Sequence, residues 1–132
     1  QKSLLDISDE QFDYTMKTNM YSIFYLTKRA LKHMCKGASI INVSSVTTFY
    51  GEPELIDYVT SKGAIVGFTR ALSTNLADKK IRVNAVAPGI TETDMVASLP
   101  KEVIEPLIKT IPLGRIGEPI DIANAFCGTL SV

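Results

Sequence analysis

Ser39-Ile40-Ile41-Asn42-Val43-Ser44, then Tyr58-Val59-Thr60-Ser61-Lys62-Gly63-Ala64, then Ile81-Arg82-Val83-Asn84-Ala85-Val86-Ala87, are the stretches whose order decides the fold class. The first and last are short, mostly apolar and rich in β-branched residues, as expected of strands buried in a parallel sheet. The middle stretch opens a long helix, predicted from about Asp57 to Asp78, with Ile65, Phe68, Leu72 and Leu76 recurring at spacings of three and four. Strand, helix, strand implies a parallel pair, because parallel strands need a crossover of a dozen or more residues between them. The first strand is expected to be central and covered on both faces.

Upstream, Ser8-Asp9-Glu10-Gln11 has the form of a capping box, so a helix should start near Asp9. Phe12, Met16, Asn19, Ile23, Thr27, Ala30 and Met34 form its buried stripe over about 25 residues, and Gly37 ends it. Asn19 is the polar exception on that stripe. Between first strand and second helix, Ser45 to Leu55 reads as a turn around Gly51-Glu52-Pro53. Within the second helix, Gly63, Gly67 and Ala71 make a row of small residues, expected to admit another backbone, such as that of a second subunit.

Downstream, Pro88-Gly89 stops the second strand, and an amphipathic stretch from Asp94 to Thr110 is expected to be broken by Pro100, Pro106 and Pro112. A last helix starts with Pro119 in its first turn and runs through Ile122, Ala125, Phe126 and Leu130. Only two strands are visible, and no strand precedes the first helix, so the sheet is expected to be incomplete. Such a chain would expose an unpaired β edge and is expected to belong to a longer polypeptide rather than to persist as a monomer.

Composition narrows the partners. The 132 residues carry 14 basic and 14 acidic side chains with no run of like charge, which leaves no electrostatic footprint for nucleic acid or an anionic membrane. No apolar stretch approaches the roughly 20 residues of a membrane span, no signal-peptide layout opens the sequence, and a cytoplasmic location is expected. Cys35 and Cys127 lack metal-site or redox spacing and are expected to be buried reduced thiols. No metal site is expected.

In open parallel sheets, ligands bind beyond the carboxyl ends of the strands. Ser44-Ser45 follow the first strand, and Pro88-Gly89-Ile90-Thr91 follow the second. Tyr58 and Lys62 open the second helix one turn apart on a single face. Singly these signals are weak. A serine after a strand is commonly a turn residue, Pro-Gly is commonly just a turn, and a buried Asn is commonly a satisfied core amide. His33, near the end of the first helix, is assigned no catalytic role.

Together they resemble the classical short-chain dehydrogenases and reductases over nearly the whole chain. The resemblance rests on Thr18-Asn19-Met20, Ile41-Asn42-Val43-Ser44-Ser45, Tyr58-Val59-Thr60-Ser61-Lys62-Gly63-Ala64, Arg82-Val83-Asn84-Ala85-Val86-Ala87-Pro88-Gly89, Ile111-Pro112-Leu113-Gly114-Arg115 and Glu118-Pro119. Ser45, thirteen residues before Tyr58, has the family's separation, and so is preferred to Ser44.

The resemblance implies a Rossmann-like doubly wound parallel sheet that here lacks its amino-terminal βαβ units and last strand. Residues 1–132 would be the carboxyl-terminal catalytic half of that single domain. It further implies hydride transfer between NAD or NADP and a small carbonyl or secondary-alcohol substrate. Asn19, Ser45, Tyr58 and Lys62 would form the catalytic set, with Tyr58 as general acid or base, Ser45 holding the substrate oxygen and Asn19 anchoring a water relay to Lys62. Tyr58, Lys62, Pro88, Gly89, Thr91 and Thr93 would contact the cofactor. Because a phenol ordinarily titrates near 10, the Lys62 ammonium and the oxidised nicotinamide ring would be needed to favour the phenolate.

The segments that grip the pyrophosphate and separate NAD from NADP lie in the absent portion. Thr91 to Met95 and Ile111 to Arg115 resemble 3-oxoacyl-thioester reductases, whereas Glu54 to Tyr58 resembles polyol and glucose dehydrogenases. A homodimer or homotetramer built partly on the two long helices is also implied. The competing reading is a non-catalytic relative that uses the same scaffold for binding or subunit assembly.

Overall fold

A computed structural model describes residues 3–130. They divide into two compact units, 3–87 and 88–130.

In the first unit, α1 (Asp9–Met16) runs through a five-residue π-helical turn, Lys17–Tyr21, into α2 (Ser22–Ala30), and a 3₁₀ turn, Leu31–His33, closes the segment. The expected continuous helix is therefore locally widened around Asn19. Its cap is half of the predicted box. The Ser8 hydroxyl accepts from the Gln11 amide at 3.1 Å, but the Gln11 side chain turns away toward Thr15 and Asp57. Of the predicted stripe only Thr27 is buried, with Met16, Asn19, Ile23, Ala30 and Met34 half-buried and Phe12 exposed.

β1 (Ser39–Val43) pairs in parallel with β2 (Arg82–Val86), with Ser39 opposite Arg82 and Val43 opposite Val86. Among the described residues the sheet has these two strands, so β1 is not flanked on both sides as expected. Nor is it covered on both faces. Ile40 and Asn42 point inward and Val43 is 42% exposed. The crossover is α4 (Ile56–Asn75), which packs on both strands and on α1. A 3₁₀ turn, Ala77–Lys79, replaces the helix's predicted last residues, and Lys80 follows in the left-handed region.

The core lies between α4 and the sheet. Ile65 and Leu76 are fully buried, with Ile40, Ile81 and Val83 nearly so. Each such side chain is worth about 1.5–3 kcal/mol relative to exposure. One polar bridge crosses it: the Asn42 amide donates to Thr69 Oγ1 at 2.8 Å, and Thr69 donates to the Ile65 carbonyl. The bridge satisfies an amide that would otherwise be costly to bury.

The predicted turn between β1 and α4 contains a one-turn helix, α3 (Thr47–Tyr50), ended by Gly51 at φ 76°, a backbone conformation that favours glycine. Among the described residues, a Cβ at Gly63 or Gly67 of the small-residue row on α4 would meet no atom within 4 Å. Cys35 is exposed rather than buried, and so, in the second unit, is Cys127. Burial by a helical stripe fails for both because too few elements cover those faces.

The second unit comprises α5 (Asp94–Ala97), α6 (Lys101–Thr110) and α7 (Pro119–Leu130). Pro106 sits inside α6 and does not break it, a departure from the sequence expectation. The helix is short and exposed there, so water can take the carbonyl that proline's missing N–H leaves. Thr91 bridges Gly117 in parallel, with Glu92 N–H donating to the Gly117 carbonyl at 2.7 Å and Gly117 N–H to that of Ile90 at 2.9 Å. Arg115 and Asp121 form a two-pronged ion pair at 2.8 and 3.3 Å, and Asp121 also accepts from the Glu118 amide.

Candidate active site

Parallel pairing directs both strands' carboxyl ends to one edge of the first unit, where Ser44, Ser45 and the start of α4 meet. Ser44 is buried, and its hydroxyl donates to the Lys62 carbonyl at 3.0 Å, while its amide donates to the Val86 carbonyl at 2.8 Å. This serine ties strand to helix. Ser45 is also buried, but its oxygen accepts from the amide and hydroxyl of Thr47 at 3.3 and 2.9 Å, which starts α3. Of the neighbouring serines, Ser44 is committed to the backbone of Lys62, a distinction that spacing alone does not explain.

Tyr58 and Lys62 lie one turn apart on α4, as their sequence separation demands. The Lys62 ammonium is 5.7 Å from the centre of the Tyr58 ring and donates to the carbonyl of Val43, the last residue of β1, at 3.1 Å. Its pKa is pulled down by burial, because desolvation disfavours the charged form.

Asn19 lies in the widened turn, and its amide donates to Ser61 Oγ at 2.9 Å. Ser61 is fully buried and donates in turn to the Tyr58 carbonyl at 2.7 Å. Asn19, Thr18, Ser22 and Lys62 line one end of a cavity of about 450 Å³, whose remainder runs along Ile40–Val43 and the apolar side of α2. Three of the four expected residues, Asn19, Tyr58 and Lys62, are thus linked directly or through Ser61. Ser45 stands at the neighbouring strand end with its hydroxyl engaged locally.

Pro88, Gly89, Thr91 and Thr93 all belong to the second unit. Thr91 Oγ1 donates to the Gly89 carbonyl at 3.2 Å, and Thr93 precedes α5 in extended conformation. Ser61, Thr15 and Asp57 were not singled out by sequence reasoning, and Ser44 was set aside in favour of Ser45. The available signal was a repeat of polar residues at spacing four, Gln11, Thr15 and Asn19 on one helix and Asp57 and Ser61 on the other.

The donor set suits a dinucleotide's nicotinamide end. A half-buried ammonium beside a phenol, with buried serines at the adjoining strand end, can offer hydrogen bonds to a polar ligand. Among the described residues no group of three or more His, Cys, Asp or Glu is arranged to hold a metal. Nor is any helix there long and apolar enough to cross a membrane.

A family profile described as enoyl-(acyl carrier protein) reductase matches residues 1–131. An uncharacterized oxidoreductase of Schizosaccharomyces pombe is 51% identical over 126 residues, 95% of this chain and 44% of that protein. The solved short-chain glucose/ribitol dehydrogenase from Brucella melitensis superposes with a TM-score of 0.90 at 38% identity, covering 98% of this chain and 53% of that one. An angucycline C-6 ketoreductase, LanV, solved with bound NADP, superposes at 0.86 and 34% identity over 95% of this chain and 49% of its own. The chain spans about half the length of these relatives, and their α/β architecture is the Rossmann-like one expected from the sequence. On its sequence and its fold, the chain belongs to the classical short-chain dehydrogenase/reductase family.

Proposed function

We propose that the whole protein is a nicotinamide-dependent oxidoreductase acting on a carbonyl or secondary alcohol, with Tyr58 as the proton donor or acceptor. The observation that carries this reading is the Lys62 ammonium, half-buried and 5.7 Å from the Tyr58 ring. A nicotinamide cofactor, when bound, would supply or accept the hydride. Lys62 holds the ribose hydroxyls and Tyr58, Ser45 fixes the substrate oxygen, and Asn19 anchors the water chain that returns protons to Lys62. Pro88, Gly89, Thr91 and Thr93 orient the carboxamide. The Thr91–Gly117 bridge supports that role by holding the loop's backbone.

Both units belong, on this reading, to one Rossmann-like domain completed by the rest of the protein. Subunits pair through α2, which exposes Phe24, Tyr25 and Leu26, and α4, where among the described residues nothing covers Gly67. Substrates of the polyol and 3-oxoacyl-thioester classes are the first to try. The choice between NAD and NADP is read by titrating NADH and NADPH into the whole protein while following nicotinamide fluorescence. Saturable binding of at least one, weakened by Lys62→Ala, is expected. Failure to bind either refutes the reading.

A further inference from the structure

Two hydrogen bonds join α1 and its π-helical extension to α4, and they repeat. Thr15 Oγ1 donates to Asp57 Oδ2 at 2.8 Å, and Asn19 Nδ2 donates to Ser61 Oγ at 2.9 Å. Thr15 and Asn19 are four residues apart, as are Asp57 and Ser61, so the bonds form two rungs about one turn apart between parallel segments. Gln11, one turn earlier, adds a third donor, reaching the same Asp57 oxygen at 3.3 Å.

Asp57 is the unusual member. It is only 3% exposed, and burying a carboxylate is unfavourable unless donors replace the lost water. A carboxylate that merely complemented the start of α4 would do so in solvent. Here Oδ1 accepts from the Tyr58 amide at 2.8 Å while Oδ2 is spent on the neighbouring helix. Leu55, at the cap position, supplies no side-chain bond, so the helix start is held from within its first turn.

Tyr58 and Lys62 each follow a rung residue immediately. On a helix that places both about 100° around the axis from the rungs. We infer that Thr15 and Asp57 are positioning residues: with the Asn19–Ser61 rung they set the rotation of α4, and hence where Tyr58 and Lys62 point. This rests on the oxidoreductase reading above.

The test is steady-state kinetics of the whole protein and its Thr15→Val variant, with cofactor binding and thermal midpoint measured alongside. Valine keeps the shape and removes the donor. Misplacement by about 1 Å can cost about 100-fold in rate, so a loss of kcat of about 10-fold or more is expected, larger than any change in KM, with a weaker cofactor Kd because Lys62 shifts with Tyr58. Thr15→Ser should restore the rate. Adding Asp57→Asn to Thr15→Val should lower it by less than Asp57→Asn does alone in the wild type, because the Thr15 bond is shared by the two changes while the longer Gln11 contact is lost only in the second. If Thr15→Val folds poorly, Ser61→Ala cuts the other rung and must show the same loss of kcat.

Wild-type kcat in Thr15→Val, or a loss that only follows the thermal midpoint as in an Ile65→Val control, overturns the inference. Tyr58→Phe in the same assay separates the two failures. If Tyr58→Phe stays active, the Tyr58 mechanism and the ladder fall together. If it is inactive while Thr15→Val runs at full rate, only the ladder falls.

Discussion

Replacing Ser44 and Ser45 separately by alanine distinguishes a hydroxyl that fastens the scaffold from one that touches substrate. Ser44 Oγ makes a single neutral hydrogen bond, 3.0 Å to the Lys62 carbonyl, from a buried position. Losing such a bond costs about 1 kcal/mol. Ser44→Ala should therefore lower stability by that amount and leave turnover nearly intact, since Lys62 keeps its own bond to Val43.

Ser45 Oγ accepts from the Thr47 amide and hydroxyl, so Ser45→Ala should cost a similar ~1–2 kcal/mol of stability. Its effect on rate should be of a different order. A lost donor to a developing oxyanion is worth about 100- to 1000-fold in kcat. The assay is kcat and KM for carbonyl reduction, paired with urea denaturation of the same preparations. Equal rate losses in the two variants would refute the separation, as would a Ser45→Ala enzyme that keeps its kcat.

Ile65, fully buried between α4 and the sheet, should cost about 2–5 kcal/mol when cut to alanine, read as a lowered denaturation midpoint. A change within error would mean that the core lies elsewhere. In the second unit, the Arg115 guanidinium and then the Glu118 amide hold the Asp121 carboxyl below its ordinary range. The folded value being the depressed one, this contact stabilises above the ordinary carboxylate range and is lost as pH falls through the lowered folded value. Nuclear magnetic resonance of the Glu118 amide should show a transition below the ordinary range that Asp121→Asn abolishes. A transition at or above that range would contradict the assignment.

What the sequence discloses follows from how local its causes are. β1, β2 and α4 were legible because each is written in its own apolar periodicity, and the Ser8 cap because it needs only three following residues. Tyr58 and Lys62 were legible because a spacing of four becomes one helical turn without any tertiary information. The Gln11 half of the capping box failed for the opposite reason. Asp57, 46 residues away, competes for its amide, and no local pattern records that.

The π-helical turn at Lys17–Tyr21 hides for a related reason. One widened turn barely disturbs a spacing of three and four, yet it shifts which side chains face α4. The covering expected for β1, and the burial expected for Cys35 and Cys127, assumed neighbours on every side. Among the described residues β1 is paired along one edge only. Pro106 misled because a single missing N–H matters less in an exposed helix than in a buried one.

The central claim is that Tyr58 moves the proton while Lys62 and the cofactor make that transfer possible. Its most direct test is the turnover of Tyr58→Phe in the whole protein, with NADH or NADPH binding measured on the same sample. Turnover should fall by about 100-fold or more while the cofactor still binds. A Tyr58→Phe protein that binds cofactor and keeps most of its rate would contradict the account.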